Sequence, residues 1–173
     1  ALLALRKKRG EDINSYIIKY YLVASKLKTL ARKVVGILPY LPYNRQDKVF
    51  RSGEPLSASY IAKLFEHCLD ELITVSPHEH RLSLKDIFNI KAMKISGFKP
   101  LAKHFNKLSL SNPFVIGPDE EASRFVKEFV EFFHADFVVF KKKRDVKSGA
   151  VKLYPPNKLS LRSKEVIIVE PRI

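Results

Sequence analysis

Four stretches of the chain carry side chains suited to gripping a phosphorylated ligand. Pro39-Tyr40-Leu41-Pro42-Tyr43-Asn44-Arg45-Gln46-Asp47-Lys48 is a proline-stiffened aromatic loop that ends in a cation, an amide and a carboxylate. A guanidinium forks onto phosphate oxygens, an amide satisfies a base edge or a hydroxyl, and tyrosines offer stacking surface. Arg45, Gln46 and Asp47 therefore suit a nucleotide. The competing reading is a surface loop whose Arg-Asp pair adds little. In Ser76-Pro77-His78-Glu79-His80, His78 can take a divalent metal or a phosphate oxygen with Glu79 or His80 in support, or can simply face solvent. Zinc is not expected, because no ligand set with zinc spacing exists. Gly117-Pro118-Asp119-Glu120-Glu121 opens a helix, where acidic residues complement the dipole. The functional use of Asp119 is to hold a sugar hydroxyl or, through water, magnesium. Lys141-Lys142-Lys143-Arg144 stands where a flexible loop can close over anionic substrates, and phosphoryl transfer needs such cations.

The elements that must position these residues are legible in the apolar pattern. From Asp12, the positions Ile13, Ile17, Tyr20, Tyr21, Ala24, Leu27 and Ala31 recur at helical spacing. Val34-Val35-Gly36-Ile37-Leu38 reads as a buried strand stopped by Pro39 and Pro42. Ser57 is placed to cap a helix bearing Ile61, Leu64, Phe65 and Cys68, and a strand follows at Leu72-Ile73-Thr74-Val75. Phe114-Val115-Ile116-Gly117 repeats the scheme, with a helix after Pro118 carrying Phe125, Phe129, Val130, Phe132 and Phe133, then a strand at Phe137-Val138-Val139-Phe140. Continuous Val/Ile/Phe runs alternating with amphipathic helices predict an α/β fold, a parallel sheet with flanking helices on both faces. In such sheets ligands gather at the carboxyl ends of strands, where all four stretches fall. Tyr154-Pro155-Pro156-Asn157 reads as a turn. The expectation is one phosphate-handling α/β region over residues 1–173, spanning parts of two similar subdomains at about 1–95 and 96–173.

Composition bounds the partners. The formal net charge of +14 favours an anion, leaving nucleic acid, acidic membrane or a phosphorylated small molecule. Nucleic acid rests on charge alone, since no helix-turn-helix, zinc-finger or RNA-binding aromatic signature is present. Apolar runs such as Val166-Ile167-Ile168-Val169 are strand-sized, so no membrane association is expected. The lone Cys68 suits a reducing compartment and a buried helix position, and a cytoplasmic location is the expectation.

Taken in order, the Pro39–Lys48 block, Gly53-Glu54-Pro55, His78, Gly117-Pro118-Asp119 and Lys142-Lys143-Arg144 resemble the ribose-phosphate pyrophosphokinase family. The Tyr-x-Arg-Gln-Asp block followed by Gly-Glu-Pro is the most specific part. The resemblance implies a type I phosphoribosyltransferase-like fold and transfer of the diphosphoryl group of ATP to ribose 5-phosphate, with Mg2+ assisting. It implies that Arg45 and Gln46 contact ATP, that His78 organises metal and phosphates, that Asp119 lies near the ribose, and that Lys142 and Arg144 clamp the transferring group. It also implies a homo-oligomer, a dimer or hexamer, or association with a homologous partner. The runner-up reading is a catalytically impaired paralogue that binds nucleotide or regulates an active homologue. Its motivation is Ser76 where the family often carries Asp, Asn89 and Met93 at positions often acidic, and Glu170-Pro171 where an Asp-Asp pair is expected.

Overall fold

The computed structural model describes residues 1–144, 150–156 and 159–170, and of Arg144 the backbone alone. The chain falls into two compact units, Ala1–Ile95 and Ser96–Ile173.

The first unit runs β1 (Leu2–Ala4), α1 (Ile13–Leu30), β2 (Val35–Leu38), α2 (Ser57–Glu66), β3 (Glu71–Val75), α3 (Leu84–Ile87) and β4 (Lys91–Ile95). Its four strands form a parallel sheet in the order β1-β2-β3-β4. In register, Gly36 lies opposite Leu72, and Leu72 opposite Ala92. Helix α1 starts where the carboxylate of Asp12 accepts the Ser15 amide at 2.8 Å, satisfying one of the orphan donors of the first turn. Its buried face, Tyr16, Ile17, Tyr20 and Ala24, packs into a core with Phe65, Leu69 and Leu72. Burying each such large apolar side chain contributes about 1.5–3 kcal/mol. The Tyr16 and Tyr20 hydroxyls donate to the carbonyls of Leu5 and Leu3, tying the first strand to the helix. Gly36 is required by this packing, because a Cβ there would stand 2.5 Å from Leu69 Cδ1 and 2.7 Å from Tyr20 Oη.

The second unit runs α4 (Phe98–Phe105), β5 (Pro113–Gly117), a 3-10 turn (Glu120–Ala122), α5 (Ser123–Phe133), β6 (Asp136–Val139), β7 (Lys141–Arg144), β8 (Val151–Tyr154) and β9 (Glu165–Ile168). Strands β6-β5-β9 form a parallel sheet, and β7 and β8 pair as an antiparallel hairpin. The core is aromatic, with Phe105 meeting Phe129 edge-on at 5.7 Å between centroids and Phe98 lying 5.2 Å from Phe125. Pro100 is tolerated in the first turn of α4, and the Ser96 hydroxyl accepts the Phe98 and Lys99 amides there.

Several expectations need correction. Ser57 does not cap α2: Leu56 holds the cap position without a side-chain bond, and Ser57 is already helical. Strand β1, inside the apolar run Ala1-Leu2-Leu3-Ala4-Leu5, and helix α4, with Phe98, Leu101, Ala102 and Phe105 at helical spacing, went unassigned from the sequence, as did β4 and α3, whose apolar signals are short. Strand β4 is mostly exposed, so the sheet of the first unit is not covered on both faces along that edge. Lys141–Arg144 is a strand rather than a loop, because Val151–Tyr154 supplies a pairing partner. The Lys143 ammonium lies 5.7 Å from the centre of the Tyr154 ring. Tyr154 ends β8, and Asn157 of the expected turn lies outside the described residues. Cys68 is buried, and burial pushes its thiol up to about 11. Among the described residues no helix is long and apolar enough to cross a membrane.

Candidate functional site

In the first unit the candidates follow adjacent parallel strands. β2 delivers the loop 39–48 and β3 delivers 76–81, so both leave the sheet at its carboxyl edge. The first loop turns sharply at Tyr43, whose φ of 57° is left-handed, and the second turns at Ser76 with φ 39°. Such values are uncommon for residues with a Cβ and persist only where the surroundings hold them. The Tyr43 hydroxyl does so by donating to Asn14 Oδ1 at 2.8 Å, anchoring the turn to α1.

The two loops are bound to each other. The Asn44 amide nitrogen donates to the His78 carbonyl. Asp47, with only 1% of its side chain exposed, accepts from the Arg81 guanidinium and the Arg81 amide, each at 3.0 Å. Asp47 Oδ2 also lies 3.9 Å from His78 Nε2. On the far side of the segment Glu79 accepts the Leu84 amide and pairs with Lys94. The His78 and His80 rings are 6.2 Å apart. Arg45 is exposed, and Gln46, half-buried, donates to the Pro55 carbonyl at 3.3 Å. Of the nucleotide candidates, then, Arg45 and Gln46 stand on the loop that Asn44 and Asp47 brace to the His78 segment, while both oxygens of Asp47 are engaged with Arg81. Arg81 and Asn44 were given no role by sequence reasoning. Their only signal was position, a cation directly after His78-Glu79-His80 and an amide directly before Arg45.

In the second unit the same rule holds. Asp119 follows β5 and Lys142 lies just past β6, its parallel neighbour, and the Phe140 amide donates to the Gly117 carbonyl at 2.9 Å. Asp119 is buried, accepts the Ala122 amide, and pairs through Oδ2 with Lys142 Nζ at 2.8 Å. The Lys142 amide donates to Glu120 at 3.1 Å. Burial raises the Asp119 carboxyl, but the hydrogen bond and charge of Lys142, joined by the Ala122 and Glu121 amides, bring it below its ordinary value. Asp119 thus rests as a carboxylate held against the Lys142 side chain. Arg144 belongs to β7, and its side chain lies outside the described residues.

Among the described residues no three His, Cys, Asp or Glu side chains converge to hold a metal ion. Asp47, whose Oδ2 lies 3.9 Å from His78 Nε2, is taken by Arg81. The residues do not build a metal cage. They are compatible with magnesium that arrives on a polyphosphate, since this ion keeps several waters and takes most of its other ligands from phosphates.

Residues 5–68 match the N-terminal domain of ribose phosphate pyrophosphokinase. The ribose-phosphate pyrophosphokinase of Sulfurisphaera tokodaii is 37% identical over 151 residues, covering 83% of this chain and 50% of that protein. Its namesake from Methanopyrus kandleri is 32% identical over 144 residues, covering 83% and 48%. The chain spans about half the length of the curated relatives it matches. In fold it resembles the crystal structure of phosphoribosylpyrophosphate synthetase from Mycobacterium smegmatis, with a TM-score of 0.67 at 22% identity over 82% of this chain and 46% of that one. Matching motifs, matching sequence over most of its length and a shared parallel α/β fold place the chain in the ribose-phosphate pyrophosphokinase family.

Proposed function

We propose that the protein serves ribose-phosphate diphosphokinase chemistry, in which ATP and ribose 5-phosphate yield phosphoribosyl pyrophosphate and AMP. The observation that carries this reading is the braced pair of loops holding Arg45, Gln46 and His78 at the carboxyl edge of one parallel sheet. It is supported by relatives named for that activity. In this reading the substrate is ATP with its magnesium ion. Arg45 forks onto phosphate oxygens, Gln46 contacts the nucleotide, and His78 stands beside the metal and phosphates.

In the second unit, Asp119 holds a ribose hydroxyl, and Lys142 and Arg144 stabilise charge on the transferring group. The anomeric oxygen attacks the β-phosphorus of ATP, the bond from that phosphorus to the bridging oxygen of the α-phosphate breaks, AMP leaves with that oxygen, and the anomeric proton passes to solvent. A homo-oligomer, dimer or hexamer, or a complex with a homologous partner, working in the cytoplasm, completes the proposal.

Incubation of the purified chain with ATP, Mg2+ and ribose 5-phosphate tests it. AMP and phosphoribosyl pyrophosphate forming in equal amounts supports the proposal. No AMP from the chain alone, and none beyond an active homologue's own output when the two are mixed, removes the catalytic claim.

A further inference from the structure

We propose that Asp47 is a positioning residue, a buried carboxylate that acts through Arg81 to fix where the His78 segment stands beside the Arg45-Gln46 turn. The functional half of this inference rests on the nucleotide reading above. Sequence alone groups Asp47 with Arg45 and Gln46 as a direct ligand contact, and the geometry points elsewhere. Its side chain is 1% exposed, and each oxygen already accepts a bond from Arg81, one from the guanidinium and one from the backbone amide. A carboxylate with both oxygens engaged and no exposed face has little left to offer a ligand.

The bond to the Arg81 amide matters most, because it fixes backbone rather than a movable side chain. It acts with Asn44, three positions earlier on the same turn, which holds the His78 carbonyl. The 78–81 segment is therefore gripped at both ends by one short turn of the neighbouring loop. Its middle is pinned from the other side, where Glu79 meets the Leu84 amide and Lys94. The Glu79 bonds tie the segment to α3 and β4, whereas those from Asn44 and Asp47 run between loops. The Asn44 and Asp47 bonds join two loops leaving adjacent strands, so their effect falls on the relative position of the Arg45-Gln46 turn and the His78 segment. A buried anion also demands its partners, which makes this register the favoured one before any ligand binds.

The test compares Asp47→Ala, Asp47→Asn and a core control, Leu72→Val, in the full chain. It reads amide hydrogen exchange at Arg81, the unfolding midpoint, and Mg·ATP affinity by calorimetry. In Asp47→Ala the Arg81 amide is expected to exchange at least about tenfold faster, with Leu72 and Ile73 still protected, and Mg·ATP affinity to fall about tenfold or more, the usual effect of removing a group that orients a ligand-holding residue. Asp47→Asn keeps one acceptor oxygen and recovers part of both effects, and it carries the test should the alanine variant not fold. Leu72→Val lowers the midpoint while keeping the wild-type affinity.

Unchanged Arg81 exchange in the Asp47 variants overturns the inference. So does an affinity loss in Leu72→Val equal to theirs at the same midpoint. Wild-type protein that binds no Mg·ATP overturns the nucleotide reading instead, and the brace is then upheld or rejected by Arg81 exchange alone.

Discussion

Lys142 Nζ sits 2.8 Å from Asp119 Oδ2, joining two residues 23 positions apart at the ends of neighbouring parallel strands. With 30% of the Lys142 side chain and 8% of the Asp119 side chain exposed, the pair is partly shielded from water, and its attraction exceeds that of an ordinary surface pair. Each member is also a candidate for substrate, so a ligand held as proposed competes with a contact the resting protein already makes.

This pair makes stability acid-sensitive. The Asp119 carboxyl titrates below its ordinary value in the folded chain, so the unfolded chain takes up the proton first as pH falls. Its stabilisation is complete above the ordinary aspartate range, near pH ~4, and is lost as pH drops through the lowered folded value. Asp119→Asn is expected to remove that part of the acid dependence and to cost about 1–3 kcal/mol at neutral pH through the weakened bonds. Thermal unfolding of both proteins across the acid range measures it, and parallel curves would contradict the account.

Arg45 separates binding from folding. It is exposed, so Arg45→Ala is expected to change stability by less than about 0.5 kcal/mol. Loss of a charge-assisted bond to phosphate is expected to weaken ATP by about 1.5–3 kcal/mol, roughly ten- to a hundredfold. Calorimetric titration with ATP, beside a denaturant curve, reads both quantities.

Thr74 is a weak point of the first core. Its hydroxyl is buried with no hydrogen-bond partner among the described residues. Valine has nearly the same shape without the polar atom, so Thr74→Val is expected to stabilise by about 1 kcal/mol. A fall in the urea midpoint would show that the hydroxyl has a partner after all.

Gly36 is the converse case. An added methyl meets Leu69 Cδ1 at 2.5 Å and Tyr20 Oη at 2.7 Å, both in tightly packed surroundings. Gly36→Ala is therefore expected to destabilise by about 1–3 kcal/mol through overpacking. Denaturation monitored by circular dichroism checks the direction.

The strands β2, β3, β5 and β6 were legible because each carries a short run of mostly branched or aromatic residues, interrupted in β2 only by Gly36. The helices α1 and α5 were legible because their buried residues recur at helical spacing. Strand β4 was not, because Lys91-Ala92-Met93-Lys94-Ile95 is mostly exposed and interleaves lysines with its apolar residues. Strand β7 was hidden for a similar reason: four consecutive cations look like solvated chain, and only pairing with Val151–Tyr154 makes them extended. At the site, residue types and their strand-end positions could be read directly. The pairing of Asp47 with Arg81, 34 residues away, could not, since nothing local distinguishes a carboxylate facing a ligand from one turned inward.

The clasp from Asn44 and Asp47 onto residues 78–81 also has a kinetic side. Segments immobilised during folding lose no further freedom on complexation, and a nucleotide bound as proposed meets a rim already in shape. Association should then be a single step whose observed rate climbs linearly with nucleotide concentration, without the plateau that a preceding rearrangement imposes. Severing the clasp should bring that plateau in, together with faster release.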